Sequence, residues 1–120
     1  MNHFTVLTDD LDRTLDFYVG LLGLERGARP DLGFSGAWLY ANGSAVLHIV
    51  AGRALPEQRA GVIDHMAFSA TGLGEIKRKL EARRIAYELR RQRESNTWQL
   101  FCHDPNGARV ELDFDPGELP

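Results

Sequence analysis

The sequence predicts an α+β fold built from two copies of one strand–helix–three-strand (βαβββ) module. A histidine and the first apolar residue of a helical pattern are eight positions apart in each half: His3 with Leu11, and His65 with Leu73. An Asn-Gly pair, which is a strong hairpin signal, also precedes the final strand of each half. Self-similarity at matched spacing is the signature of a repeated structural unit.

The first module, at about residues 1–51, is predicted to begin with a strand at residues 2–8. A helix follows, because Asp9 and Asp10 offer an N-cap and apolar residues then recur at helical spacing. Its inward side is predicted to be Leu11, Leu15, Tyr18 and Leu22, with Gly23 as the stop. The remaining elements are a short strand at 24–26, a loop at 27–33, and a hairpin of 37–41 with 45–50 about Asn42-Gly43.

A linker at about residues 52–61 contains Pro56 and several charges, and the same order of elements then starts again. The second module, at about residues 62–115, is predicted to have a strand at 62–70 and a helix at 72–84. Leu73, Ile76 and Leu80 form the inward side of that helix. Strands at 86–90 and 97–102 follow, and the Pro105-Asn106-Gly107 turn leads into the last strand.

Composition sets broad limits on the class of protein. A chain of 120 residues with 43% apolar and 26% charged residues fits one globular domain. The formal charge of -3 gives no reason to expect nucleic acid or an anionic membrane as partner. The single cysteine, Cys102, excludes an internal disulfide, and no leader or spanning segment is evident. We therefore expect a soluble cytoplasmic protein.

The last strand contains the most informative residue. Its alternation puts Glu111 on one face with Arg109 and Asp113, and apolar residues on the other. A carboxylate in the middle of a strand is costly to bury unless it is paired or bound to a metal ion.

Three histidines match this carboxylate in the repeat. His3 and His48 are 45 positions apart, and His65 and Glu111 are 46 apart. If the modules pair, these four groups can converge as ligands of Zn, Ni, Co, Fe or Mn. The alternative for any one histidine is a hydrogen-bonded, half-buried strand residue. His103 is expected at the surface.

Four segments resemble the vicinal oxygen chelate superfamily, which includes glyoxalase I, extradiol dioxygenases and bleomycin-resistance proteins. They are Asn2-His3-Phe4-Thr5-Val6, residues 15–24, Ile63-Asp64-His65-Met66-Ala67, and Asp104-Pro105-Asn106-Gly107-Ala108-Arg109-Val110-Glu111. The resemblance implies two βαβββ modules that form a cup-shaped mixed sheet with the helices outside. It places His3, His65 and Glu111 at metal-ligand positions and His48 at the fourth position.

The resemblance implies a glyoxalase-type lyase or isomerase that binds a small substrate with neighbouring oxygens through a divalent metal ion. Glu111 or His48 would be the base, and the choice between them stays open. A ring-cleaving dioxygenase and a non-catalytic binding or resistance protein are the alternatives. A homodimer is expected, because small curved sheets leave edge strands uncovered.

Other residues have two interpretations each. The basic run of Arg83, Arg84, Arg90, Arg91 and Arg93 is either a solvated surface or an anchor for an anionic substrate. Trp38, Tyr40 and Trp98 are either core aromatics or part of a substrate pocket. A catalytic pair of Cys102 with His103 is not expected, because neighbouring strand residues point apart.

Overall fold

Two four-stranded mixed sheets, one in each of two units, make up the protein. The computed structural model describes residues 1–120, with unit one at Met1–Arg59 and unit two at Ala60–Pro120. The strand orders are β1-β4-β3-β2 and β5-β8-β7-β6. In each sheet the first strand is parallel to the last, and the other pairs are antiparallel. The predicted α+β class with two βαβββ modules is confirmed.

Unit one forms its hairpin where the sequence predicts it. Asn42 has φ 51° and Gly43 has φ 80°, as a two-residue type I′ turn requires. Leu39, Leu47 and Ile49 are buried on one face of this sheet. The elements are β1 (Phe4–Thr8), α1 (Leu11–Leu15), a π-helical segment (Asp16–Leu21), β2 (Glu25–Gly27), β3 (Gly36–Ala41) and β4 (Ser44–Ala51).

The inward side of the helix in unit one agrees with the prediction only at Tyr18. After α1 its winding widens, and the Leu22 N–H donates to the carbonyl of Phe17, five residues back, at 3.0 Å. The wider turn changes which positions after Leu15 face inward, so Leu21 is buried in place of Leu22. The buried residues are Thr14, Phe17, Tyr18 and Leu21, whereas the predicted Leu11, Leu15 and Leu22 are half-buried.

Unit two follows its local signals more closely. The helix α2 buries Leu73, Ile76 and Leu80, as its 3.6-residue period predicts. The Gly107 backbone has φ 91° in the turn before the last strand, and the buried Asp104 accepts from the Asn106 and Ala108 N–H groups there. The elements are β5 (Met66–Ser69), α2 (Leu73–Ala82), β6 (Tyr87–Arg91), β7 (Trp98–His103) and β8 (Arg109–Phe114).

Both first strands start later than the alternation predicts. Ladder pairing begins at Phe4 opposite Leu47 and at Met66 opposite Val110. His3 and His65 therefore lie immediately before β1 and β5, not within them. The positions of the two histidine rings therefore depend on side-chain partners as well as on strand pairing.

A residue distant in sequence caps the α2 helix. Gly72 occupies the N-cap position with φ 82° and has no side chain to accept from the helix. The Glu118 carboxylate accepts instead from the Gly72 N–H at 3.0 Å and the Leu73 N–H at 2.8 Å. Trp98 Nε1 donates to the Glu118 carbonyl at 2.9 Å. A negative charge at a helix N-terminus also interacts favourably with the helix dipole.

No helix in either unit combines the length and the apolar character that crossing a membrane requires.

We predict that Glu118→Ala lowers the free energy of unfolding by about 1 kcal/mol, the usual effect of losing an N-cap acceptor. Urea denaturation measures this change. Glu57→Ala, at an exposed loop carboxylate in unit one, is the control and should leave the midpoint unchanged. Equal midpoints for Glu118→Ala and the native protein would show that solvent caps α2 equally well.

Candidate functional site

The carboxylate of Glu111 is the buried acid that the sequence singles out. It lies in β8, and the residue is 6% exposed. Its Oε1 accepts from Gln99 Nε2 at 2.7 Å, and its Oε2 lies 2.7 Å from His65 Nε2. Charge-assisted contacts of this length offset the cost of taking a carboxylate out of water.

Asp64 fixes the other side of the His65 ring. His65 Nδ1 lies 2.7 Å from Asp64 Oδ2, and the Arg109 guanidinium donates to the same oxygen at 2.7 Å. The hydrogen bond from His65, and then that from Arg109, lowers the pKa of Asp64. Both nitrogens of His65 therefore face carboxylates. Arg109 pairs with Asp64, whereas the buried Glu111 receives Gln99 and His65.

Asp113 is a second carboxyl group beside Glu111 on the same strand face. Burial, then the hydrogen bond and the charge of Glu111, raise the pKa of Asp113 to about 6. Its Oδ1 is buried without a hydrogen-bond partner. Two adjacent carboxyl groups do not both ionise easily, so Asp113 keeps its proton to a higher pH than an isolated aspartic acid does.

Unit one contains a column of three stacked aromatic rings. The His3 and His48 ring centroids are 3.7 Å apart with an interplanar angle of 13°. The Trp38 and His48 centroids are 4.0 Å apart with an angle of 10°. Trp38 in β3 lies directly opposite His48 in β4, so the strand register places His48 in the middle of the column.

Asn2 orients His3 as Asp64 orients His65. The Asn2 amide oxygen accepts from His3 Nδ1 at 2.7 Å, which leaves Nε2 as the nitrogen with a free lone pair. Burial, and then the proximity of His3, lowers the pKa of His48. His48 is therefore a neutral ring near pH 7.

The sequence analysis missed the residues that position the two histidines. Asn2 and Asp64 each immediately precede a histidine, so their equivalence could have been seen in the repeat. Asp113 is two positions after Glu111, and strand periodicity already placed the two on one face. Gln99 had no such signal, because its contact depends on the pairing of β7 with β8.

The three aromatic residues singled out in the sequence have different roles. Trp38 stacks on His48, while the Tyr40 hydroxyl donates to the Ala28 carbonyl. Trp98 donates to the backbone of Glu118, and Arg91 lies over its ring with the guanidinium carbon 3.9 Å from the centroid. Trp38 is therefore the one of the three in contact with a predicted site residue.

The basic run divides between the two faces of the second sheet. The Arg90 guanidinium carbon lies 4.4 Å from the centroid of Phe101, whose ring also contacts His65 edge-on. Arg91 follows it in β6, and neighbouring strand residues project to opposite faces. Arg90 is thus the member of the run on the face of Glu111.

Cys102 does not act as a nucleophile at this site. Burial raises the pKa of its thiol to about 12, so the sulfur stays protonated and unreactive at neutral pH. His103, at the end of β7, is exposed as expected.

The structure brings the predicted site residues together in pairs. His3 and His48 are in contact within unit one, and His65 and Glu111 are in contact within unit two. No three His, Cys, Asp or Glu side chains are grouped so that they could hold a metal ion. Binding of one ion by all four residues stays a prediction.

Two βαβββ modules, each with a histidine at the entry to its first strand, define a protein of the vicinal oxygen chelate class. The sequence family described as the Glyoxalase/Bleomycin resistance protein/Dioxygenase superfamily matches residues 1–112. The chain belongs to this superfamily, and the resemblance seen in the sequence is confirmed.

Three known proteins illustrate the similarity. The chain is 32% identical to Glyoxylase I 4 of Arabidopsis thaliana over 120 residues, which are 93% of this chain and 68% of that protein. Lactoylglutathione lyase from Agrobacterium tumefaciens has a similar fold, with a TM-score of 0.66, 24% identity, and coverage of 95% and 92% of the two chains. The third is a mutant of the fosfomycin resistance protein FosX from Listeria monocytogenes, complexed with Mn(II) and 1S,2S-dihydroxypropylphosphonic acid. Its TM-score is 0.75, its identity is 17%, and the match covers 96% of this chain and 91% of that chain.

We predict that Asp113 makes the stability of the metal-free protein fall as the pH rises. The pKa of Asp113 is about 6 in the folded protein against an ordinary value of 3.8. The folded state therefore binds the proton more tightly, and this contribution is lost as the pH rises through that window. Asp113→Asn keeps a neutral donor toward Glu111, so it should gain roughly 1 kcal/mol on the native protein between about pH 4 and about pH 7, allowing for solvent screening.

Urea denaturation across this pH range measures the difference. Asp115→Asn, at an exposed carboxylate just beyond β8, is the matched control and should run parallel to the native protein. A constant difference between Asp113→Asn and the native protein at every pH would contradict the raised pKa.

Proposed function

We propose that the protein is a divalent-metal-dependent lyase or isomerase of the glyoxalase type, acting on a small substrate with vicinal oxygens. The observation that carries the proposal is the contact of His65 Nε2 with Glu111 Oε2 at 2.7 Å. A nitrogen and a carboxylate oxygen face each other there, and both are donors that divalent metals such as Zn, Ni, Co, Fe or Mn accept.

The spacing of this pair fits a metal ion after a small adjustment. Two ligand atoms at about 2.1 Å from one ion in tetrahedral or octahedral geometry lie roughly 3.0–3.4 Å apart. The observed 2.7 Å is a hydrogen-bond distance, so a metal ion would replace the proton and widen the gap by a few tenths of an ångström. Asp64 on Nδ1 supplies the carboxylate partner that metal-bound histidines usually have.

His3 is the third proposed ligand. It presents Nε2 because Asn2 occupies Nδ1, the same arrangement that orients His65. Its ring is exposed, so a ligand role involves little change in its burial. The proposed set is therefore His3, His65 and Glu111, with His48 at the fourth position of the family pattern.

The proposed chemistry needs a Lewis acid and a base. A bound divalent ion would supply the Lewis acid that stabilises negative charge on the substrate oxygens. Glu111 and His48 are the proposed candidates for moving the proton. Gln99 holds one oxygen of Glu111, which directs the other toward His65. Burial keeps His48 neutral, so its ring can accept a proton if it does not bind the ion.

The relatives support two activities of the superfamily. The name of the Agrobacterium neighbour describes a lactoylglutathione lyase, and that of the Listeria neighbour describes a fosfomycin resistance protein crystallised with Mn(II). Protein purified without added metal should be analysed for metal content, reloaded with each candidate ion, and assayed with lactoylglutathione, fosfomycin and a catechol. Ring opening by an iron-loaded protein would favour the dioxygenase, and tight binding without turnover would favour a sequestering protein.

A homodimer also belongs to the proposal. β1 and β2 are the edges of the first sheet, and β5 and β6 are the edges of the second. Unpaired strand edges are commonly covered by another element or another chain.

We predict that His65→Ala abolishes stoichiometric metal binding while the protein stays folded. Losing one of three ligands removes most of the affinity, because the remaining pair cannot complete the coordination shell. Metal analysis after gel filtration measures the stoichiometry, and circular dichroism measures the fold. His103→Ala removes an exposed histidine and should retain the full metal content. Unchanged metal content in His65→Ala would remove this residue from the site.

We predict that Glu111→Gln lowers metal affinity, since a neutral amide is a weaker ligand than a carboxylate. If Glu111 is also the base, activity stays lost when excess metal refills the site, because an amide cannot take the proton. If Glu111 is a buried structural carboxylate only, the main effect is on stability in the metal-free protein. Isothermal titration calorimetry, activity at saturating metal and urea denaturation separate these results. A Glu111→Gln protein with native metal affinity and activity would contradict both functional roles.

A further inference from the structure

The stacked rings of unit one bear on the fourth position of the proposed metal set. An imidazole nitrogen binds a metal ion through a lone pair that lies in the plane of its ring, at about 2.0–2.1 Å for zinc. For two imidazoles to share an ion, both ring planes must pass through it. The His3 and His48 rings are nearly parallel, at 13°, and their centroids are 3.7 Å apart. An ion in the plane of one ring would therefore lie well outside the plane of the other.

His48 cannot easily turn out of this arrangement. Trp38 covers the face of His48 opposite to His3, with centroids 4.0 Å apart and an angle of 10°. Backbone pairing places Trp38 opposite His48 in the β3–β4 ladder and places Thr5 opposite His48 in the β1–β4 ladder. Rotation of the His48 ring would break two aromatic contacts while the strands hold its backbone in place.

His3 has the opposite situation. It lies before β1, outside the ladder, and its side chain is exposed. The contacts that hold its ring are the Asn2 oxygen at Nδ1 and the stack on His48. The first fixes which nitrogen is free, and the second fixes the plane of the ring.

We propose that His48 is a positioning residue that holds the His3 ring for metal binding by stacking, and that it is not itself a ligand of that ion. This inference rests on the proposed function, because it assigns His48 relative to the proposed metal ion. The fourth position of the set would then be open for solvent or substrate. One ring nitrogen of His48 hydrogen-bonds to the backbone of Ala45, which leaves the other for proton transfer.

The test uses cobalt(II) as the probe and a ring that stacks but cannot coordinate. His48→Phe keeps a flat aromatic ring between Trp38 and His3 but has no nitrogen. We expect it to bind one cobalt ion with an affinity close to that of the native protein and with the same visible absorption spectrum. His48→Ala removes the stack, and its cobalt affinity should fall by about tenfold or more, as is typical when a residue that orients a ligand is lost.

The visible spectrum separates positioning from ligation. At saturating cobalt, His48→Ala should recover the native spectrum, because its ligand set is unchanged, whereas His3→Ala should not. If His48→Phe loses as much affinity as His48→Ala, or its saturated spectrum differs from that of the native protein, the inference is overturned. Should His48→Ala fail to fold, the comparison of His48→Phe with the native protein still decides the outcome.

A measurement on the metal-free protein keeps this inference separate from the proposed function. Stacking on His48 should shift the ring proton signals of His3 upfield in the nuclear magnetic resonance spectrum. The shift should persist in His48→Phe and disappear in His48→Ala. Failure of the native protein to bind any metal would overturn the proposed function. His3 signals that are unchanged in His48→Ala would overturn the role of His48 in holding the ring.

Discussion

The buried carboxylate of Glu111 is the constraint on which the rest of unit two depends. A carboxylate in an otherwise well-packed sheet requires a donor for each oxygen, and Gln99 and His65 supply them. His65 in turn needs a partner at its other nitrogen, which Asp64 provides, and Arg109 balances the charge of Asp64. One acidic residue thus accounts for a chain of polar contacts from the middle of β8 to the start of β5.

The two units have different residues, with different surroundings, at the equivalent position of the last strand. Where unit two has Glu111, unit one has His48, and the polar network is replaced by a column of rings with Trp38 and His3. An imidazole can be neutral, so it can be packed between flat rings without a counter-charge, and burial lowers its pKa accordingly. A carboxylate at that place would need hydrogen-bond donors, and Trp38 offers only a ring face. The duplication therefore preserves the backbone plan while the chemistry of the two halves diverges.

The features that the sequence predicted correctly are those that depend on neighbouring residues in the chain. The Asn42-Gly43 turn and the apolar side of α2 follow from conformational preference and periodicity, and both are found as predicted. The inward side predicted for the first helix was right for Tyr18 but wrong for Leu11, Leu15 and Leu22. A π-helical turn shifts the phase before Leu22, whereas the periodicity argument assumes constant winding. The starts of β1 and β5 were placed too early, because alternation continues beyond the point where a partner strand is available.

For the candidate site too, the sequence predicted which residues matter but not the contacts that depend on strand pairing. The choice of His3, His65, Glu111 and His48 came from spacing in the repeat, and the structure places them in two contacting pairs. The contacts of Gln99 with Glu111 and of Trp38 with His48 depend on strand register, which no local pattern in this sequence specifies. Asp64 and Asn2 could have been noticed as equivalent neighbours, but their function as ring-orienting groups is evident only from the 2.7 Å contacts.

The division of roles between Glu111 and His48 follows from which lone pairs stay free. One oxygen of Glu111 accepts a hydrogen bond from Gln99, the other faces His65, and the carboxyl group of Asp113 lies beside them. Each donor occupies a lone pair that a base would use, so this environment suits a fixed ligand better than a mobile proton acceptor. His48 is held by stacking on both ring faces and by a hydrogen bond to the Ala45 backbone, which leaves the lone pair of its other nitrogen available. Within the proposed function, these surroundings suit a ligand role for the carboxylate and proton transfer by the stacked imidazole.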